Sequence, residues 1–151
     1  MKRLAAENEG DLRQILDLVH DRRFSIEELL FEPDRRRLMV PLSVIDSEKQ
    51  DVHRRHLILE SWYHRILYAQ LIVNEVVSFS LRDEAGVGGA AINRFVVREG
   101  HLVIECDLPV VFELEIKRLS VELLLSDTIV GSVRRTRVSV PRSWRNSGDG
   151  K

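Results

Sequence analysis

His53, His56, Glu60 and His64 are separated by three, four and four residues. On a helix that spacing aligns three imidazoles and a carboxylate on one face, an N, N, O, N donor set suited to zinc and hence to a metal-dependent hydrolase. The same stretch alternates from Leu57 to Tyr63 as a strand does. On a strand His56, Glu60 and His64 share a face but are spread at about 3.3 Å per residue, too far apart for one ion. The zinc site therefore stands as an alternative to histidines that simply face solvent.

A second constellation lies near the end of the chain, where Arg134, Arg135, Arg137, Arg142 and Arg145 accompany Trp144. Guanidinium groups neutralise phosphates and an indole stacks on a base, so this segment is the candidate for nucleic-acid contact. One aromatic and no recognised nucleic-acid motif beside it make nucleic acid the second alternative, behind a solvated basic tail.

Other chemistry-bearing residues read more simply. His20-Asp21 is a doublet found in metal phosphohydrolases, but a dinuclear centre needs further ligands on a helical scaffold. Here it reads as the end of a helix and the start of a turn. The Gly-rich run Glu84 to Gly89 lacks the Gly-Lys-Ser/Thr ending and following helix of a phosphate-binding loop, so it reads as a hairpin turn. Cys106, the single cysteine, stands between Glu105 and Asp107, where negative charge disfavours a thiolate. No Gly-x-Ser-x-Gly nucleophile turn occurs. These readings assign no catalytic residue and no cofactor.

The elements that must carry these residues follow from periodicity. Leu12, Ile15, Leu16 and Val19 recur at helical spacing, predicting an amphipathic helix over about 11–20, capped by Asn8 or Asp11. From Phe24 the period becomes two, and Pro33-Asp34 divides Phe24–Leu30 from Leu38–Leu42 as a hairpin. Pro41 cannot donate to a ladder, so its strand is expected at an edge or bulge. The polar segment Asp46–Arg55 reads as a loop. Leu57–Val73, Val76–Leu81, Ile92–Val97, Leu102–Leu108, Val110–Ile116 and Leu119–Leu125 read as further strands, a bend at Asn74-Glu75 leaving Val76–Leu81 to continue the sheet. Their short links require antiparallel pairing. The predicted fold is mainly β (α+β): an antiparallel meander forming a barrel or sandwich, with one N-terminal helix.

Composition agrees with an ordered chain. At 151 residues, 44% apolar and 31% charged, it can bury one core without disulfides, and residues 1–130 are expected to form a single β-rich domain. Beyond Gly131 the composition shifts, and residues 131–151 read as a flexible basic tail on a mildly acidic body. The first residues turn polar where an export signal would be apolar, and no apolar run approaches the ~20 residues of a membrane span, so a soluble cytoplasmic protein is expected.

Four segments carry a family likeness: Leu71-Ile-Val-Asn-Glu-Val-Val-Ser-Phe-Ser-Leu-Arg-Asp-Glu-Ala-Gly-Val-Gly88, Ile92-Asn-Arg-Phe-Val-Val97, Leu102-Val-Ile-Glu105 and Phe112-Glu-Leu-Glu-Ile-Lys-Arg-Leu119. With His20-Asp21 ahead of the Phe24–Leu42 hairpin, their order over residues 20–125 resembles the small uncharacterised bacterial β-domains of the YxiG and toxin-immunity type. The resemblance implies a bacterial, non-enzymatic protein that acts by binding a toxin. The long polar loop and basic tail depart from that pattern. The leading reading is thus a non-catalytic domain whose partner is another protein or a copy of itself, the Pro41 edge being one candidate surface.

Overall fold

The computed structural model describes residues 2–49, 54–56, 59–107 and 109–138. The elements are strands β1 (Lys2–Ala6), β2 (Arg23–Ser25), β3 (Leu30–Glu32), β4 (Arg37–Lys49), β5 (Arg54–His56), β6 (Leu59–Val73), β7 (Val76–Asp83), β8 (Gly89–Arg98), β9 (His101–Cys106), β10 (Val110–Ile116) and β11 (Val121–Val138), with helix α1 (Glu9–Val19) and a 3-10 turn at Ile26–Glu28. The protein is mainly β, as its alternating runs predict. One sheet runs β1-β11-β6-β4-β3, with β5 added to β6; the other runs β2-β8-β9-β10-β7. Contacts divide the chain into two compact units, residues 1–44 with 67–128 and residues 45–66 with 129–151.

In the first unit, strand alternation becomes a core. Val110, Phe112, Leu114 and Ile116 of β10 are buried at every second position, as are Leu38, Val40, Leu42 and Val44 of β4 and Val121, Leu123 and Leu125 of β11. Each fully buried aliphatic side chain contributes about 1.5–3 kcal/mol of transfer free energy. Phe112 is at the centre, 5.2 Å from Phe24 and 6.0 Å from Phe79 by ring centroids.

Helix α1 lays Leu12, Ile15 and Val19 into this core. Asn8 is its cap, its Oδ1 accepting the Asp11 N–H at 2.8 Å, which satisfies one of the otherwise unpaired amides of the first turn. Replacing Asn8 by alanine should cost about 1 kcal/mol, read as a lower urea midpoint at unchanged slope.

Several elements differ from expectation. A strand, β1, precedes the helix and pairs antiparallel with β11, Lys2 opposite Leu125 and Ala6 opposite Val121. The Phe24–Leu30 run is not one strand. Its first part joins β8, with Phe24 opposite Ala90, and its last joins β4, with Leu30 opposite Met39; the 3-10 turn between them carries the chain from one sheet to the other. Likewise Val76–Leu81 does not continue the sheet of β6: Glu75, at φ 58°, turns the chain so that β7 joins β10. The polar segment 46–55 is partly ladder, β4 reaching Lys49 and β5 pairing Arg54 with Ser61. Beyond Gly131 the strand continues, since β11 runs to Val138.

Arg36 closes the β3–β4 hairpin at φ 52°, a left-handed conformation that favours glycine. Arg36→Gly should relieve about 1–2 kcal/mol of left-handed strain against about 0.4–1 kcal/mol of added unfolded-state entropy, a net stabilisation that raises the thermal midpoint by a few degrees.

Candidate binding surface

The histidine constellation resolves into strands. His56 lies on β5 opposite Leu59, and Glu60 and His64 lie on β6, so the helix that would have gathered them is absent; His53 and the side chains of His56 and Glu60 lie outside the described residues. Both ring nitrogens of His64 are engaged. Trp62 donates its indole N–H to Nε2 at 2.9 Å, which leaves Nδ1–H to donate to the Asp46 carbonyl at 2.8 Å. That neutral tautomer ties β6 to β4. Among the described residues no group of three His, Cys, Asp or Glu converges as metal ligands do.

Of the basic segment, Arg134 is exposed on β11, Arg135 and Arg137 lie on the same strand with their side chains outside the described residues, and Arg142, Trp144 and Arg145 lie outside them altogether. His20 ends α1, its N–H bonded to the Leu16 carbonyl and its Nδ1 3.2 Å from the Asp21 carboxylate. The Gly-rich turn is occupied by its own chain: the Asp83 carboxylate accepts the N–H groups of Gly86 and Gly88 at 3.0 and 3.2 Å. Those amides, which a phosphate would need, already hold an anion.

Cys106 is half-buried in β9, and burial together with the adjacent Asp107 pushes its thiol up to about 12. At pH 8 the native thiol should resist iodoacetamide and react rapidly only after denaturation, where its pKa returns to about 8.5. Because the folded value is raised, the associated stabilisation is complete below the unfolded value and is lost as pH climbs from about 8.5 towards 12.

The strand edges hold the remaining chemistry, since an edge exposes unpaired N–H and C=O groups. Three of the four terminal strands in the two sheet paths are blunted. Both β2 and β3 are three residues long, and β1 presents Lys2 and an exposed Arg3 ion-paired with Glu122. The open flank of β4 is blunted too. The β3 register stops at Met39, two residues before Pro41, which has no N–H, and Arg22 then covers Ser43, donating from Nε to its carbonyl at 2.8 Å and from Nη2 to its Oγ at 2.9 Å. The Pro41 strand is thus not a terminal strand, since β4 lies between β6 and β3, and its flank beyond Met39 carries devices that oppose main-chain pairing.

The fourth terminal strand is different. β7 is eight residues long and pairs with β10 alone among the described residues. Its first residue is engaged by the Val76 N–H bond to the Arg36 carbonyl at 2.8 Å, and its last by the Asp83 carbonyl, which accepts from Gly86 at 3.2 Å. Between them Val77-Ser-Phe-Ser-Leu81 has no proline and no charge. Val77 is 49% exposed, and Phe79 and Leu81 are half-buried against the core. Phe79 is held from beneath by Phe31, at a centroid distance of 5.8 Å. The sequence marks this segment as a strand without showing that it is terminal, because edge and central strands of this composition look alike.

The outer face of this sheet is polar and ordered in rows. Arg82 is opposite Val111, which is opposite Glu105, which is opposite Arg94; Ser78 is opposite Glu115, which is opposite His101. The Arg94 guanidinium hydrogen-bonds Glu105 and holds its carboxyl below the ordinary value. Ser78 Oγ donates to Glu115 at 3.2 Å. Arg82 is exposed, and no ion pair or hydrogen bond of its side chain is found among the described residues.

These sheets define a mainly antiparallel β-protein in which β7 is the longest of the four terminal strands. No family model, curated protein or solved structure matches the chain.

Proposed function

We propose that this protein is a non-catalytic binding domain that engages a polypeptide, another protein or a second copy of this chain, by accepting it as an additional strand along β7. The observation that carries this reading is the contrast among edges: three terminal strands are short or charged, whereas β7 offers an uncharged run from Val77 to Leu81. Main-chain pairing there supplies affinity, and half-buried Phe79 and Leu81 supply apolar contact below the added strand. No helix among the described residues is long and apolar enough to cross a membrane, and cytoplasmic placement in a bacterium belongs to the same proposal. A photo-crosslinking amino acid at Val77, introduced in the cells that make the protein, should give one discrete protein adduct. The same group at Val103, mid-sheet on the outer face, should give none. Equal labelling at both positions, or none at Val77, would overturn the reading.

A further inference from the structure

We propose that the strand β7 accepts is β7 of a second copy, paired antiparallel about a twofold axis at Ser80; this rests on the edge-pairing reading above. A twofold axis perpendicular to the sheet keeps outer faces on one side, so each residue must meet one of the same parity. Centring on Ser80 places Ser78 of one copy opposite Arg82 of the other, and Phe79 opposite Leu81. Charge favours this register. One centred on Leu81 would also bring Arg82 to a serine backed by a glutamate, Ser80 and Glu113, but it would set the Asp83 carboxylate opposite Phe79. Arg82 is exposed and has no side-chain partner among the described residues, while Glu115 lies one strand inward from Ser78 and is held there by the Ser78 hydroxyl. The two Cα positions are then about two strand spacings apart, roughly 9.5 Å, a gap that an extended Arg and a Glu close across a serine. The symmetry makes the contact twice. On the inner face Phe79 and Leu81, half-buried within one copy, cover each other. Shifting the centre to Phe79 would instead set Arg82 opposite Val76 and forfeit both ion pairs.

Sedimentation velocity on the intact chain and on Arg82→Glu, Glu115→Arg and the double exchange tests this. The wild-type protein should dimerise with a dissociation constant on the order of 10 µM. Each single reversal should weaken it by at least about tenfold, because like charges then face each other twice, and the double exchange should restore it. A wild-type chain that stays monomeric at about 100 µM, or a double exchange that fails to recover dimerisation, would overturn the proposal. Hydrogen exchange separates this from failure of the edge itself: fast exchange at alternate amides from Val77 to Leu81 in a monomer leaves the edge open to a different partner, and uniform protection there in a monomer removes both readings. Arg82 is exposed and its side chain has no ion pair or hydrogen bond among the described residues, so its reversal should leave folding intact.

Discussion

Phe112→Ala is expected to lower unfolding free energy by about 3–5 kcal/mol, a large part of the 5–15 kcal/mol by which a domain of this size is ordinarily stable. The ring is fully buried and packs against Phe24 from β2 and Phe79 from β7, so its removal leaves a cavity bordered by three strands of one sheet. Relaxation is opposed from every side, because β10 is paired on both flanks, with β9 and β7. Urea unfolding should show a lower midpoint with little change in slope. Phe79→Ala should cost less, since Phe79 is only half-buried and its loss opens towards solvent. Equal costs for the two would mean that Phe112 is not the centre of the core. Because the two rings touch, the double variant should fall short of the sum of the single effects.

The second large effect is expected at the helix. Ile15 is 1% exposed, on the stripe that joins α1 to the core, and Ile15→Ala should cost about 2–5 kcal/mol. An isolated helix of eleven residues is marginal in water, so α1 owes its existence to that stripe. The loss should therefore appear in two readouts: a lower denaturation midpoint, and faster amide exchange across Leu12–Val19 than across β10. A variant that loosened both regions equally would indicate that helix and sheets open as one cooperative unit.

These two sites also mark what the sequence makes legible. The helix was readable because Leu12, Ile15 and Val19 obey one period and Asn8 supplies a local cap, so the information lies within a dozen residues. The strands from β8 to β10 were readable for the same reason, with Gly100 at φ 73° forming the turn after Glu99. What escaped were features decided by distant partners. Lys-Arg-Leu-Ala-Ala has no strand pattern of its own and becomes β1 only because β11 lies beside it. The polar residues after Asp46 enter a ladder despite their composition, and the arginine-rich run after Gly131 stays extended as far as Val138; in both, pairing overrides propensity. The sheet switches at Ile26–Glu28 and Glu75 are invisible to periodicity, since the residues on either side alternate correctly for whichever sheet they join.

The candidate surface shares that origin. The histidines were conspicuous by type and spacing, yet the strand places His64 between Trp62 and the Asp46 carbonyl as a structural link. Val77, Phe79 and Arg82 carry no conspicuous chemistry. They gain significance from being last in a row, which depends on the topology of the whole sheet.

The pairing of β1 with β11 also has a consequence for synthesis. Leu4 meets Leu123, so β1 waits for the much later β11 before its backbone groups find their ladder. A ribosome-bound chain that stops before Val121 holds β1, the strand that leads into α1, without its neighbour. The meander β8-β9-β10, built from near neighbours, can close earlier. Vectorial folding would then proceed from the β8-β9-β10 meander outwards, with β1 lacking its ladder until β11 clears the exit tunnel.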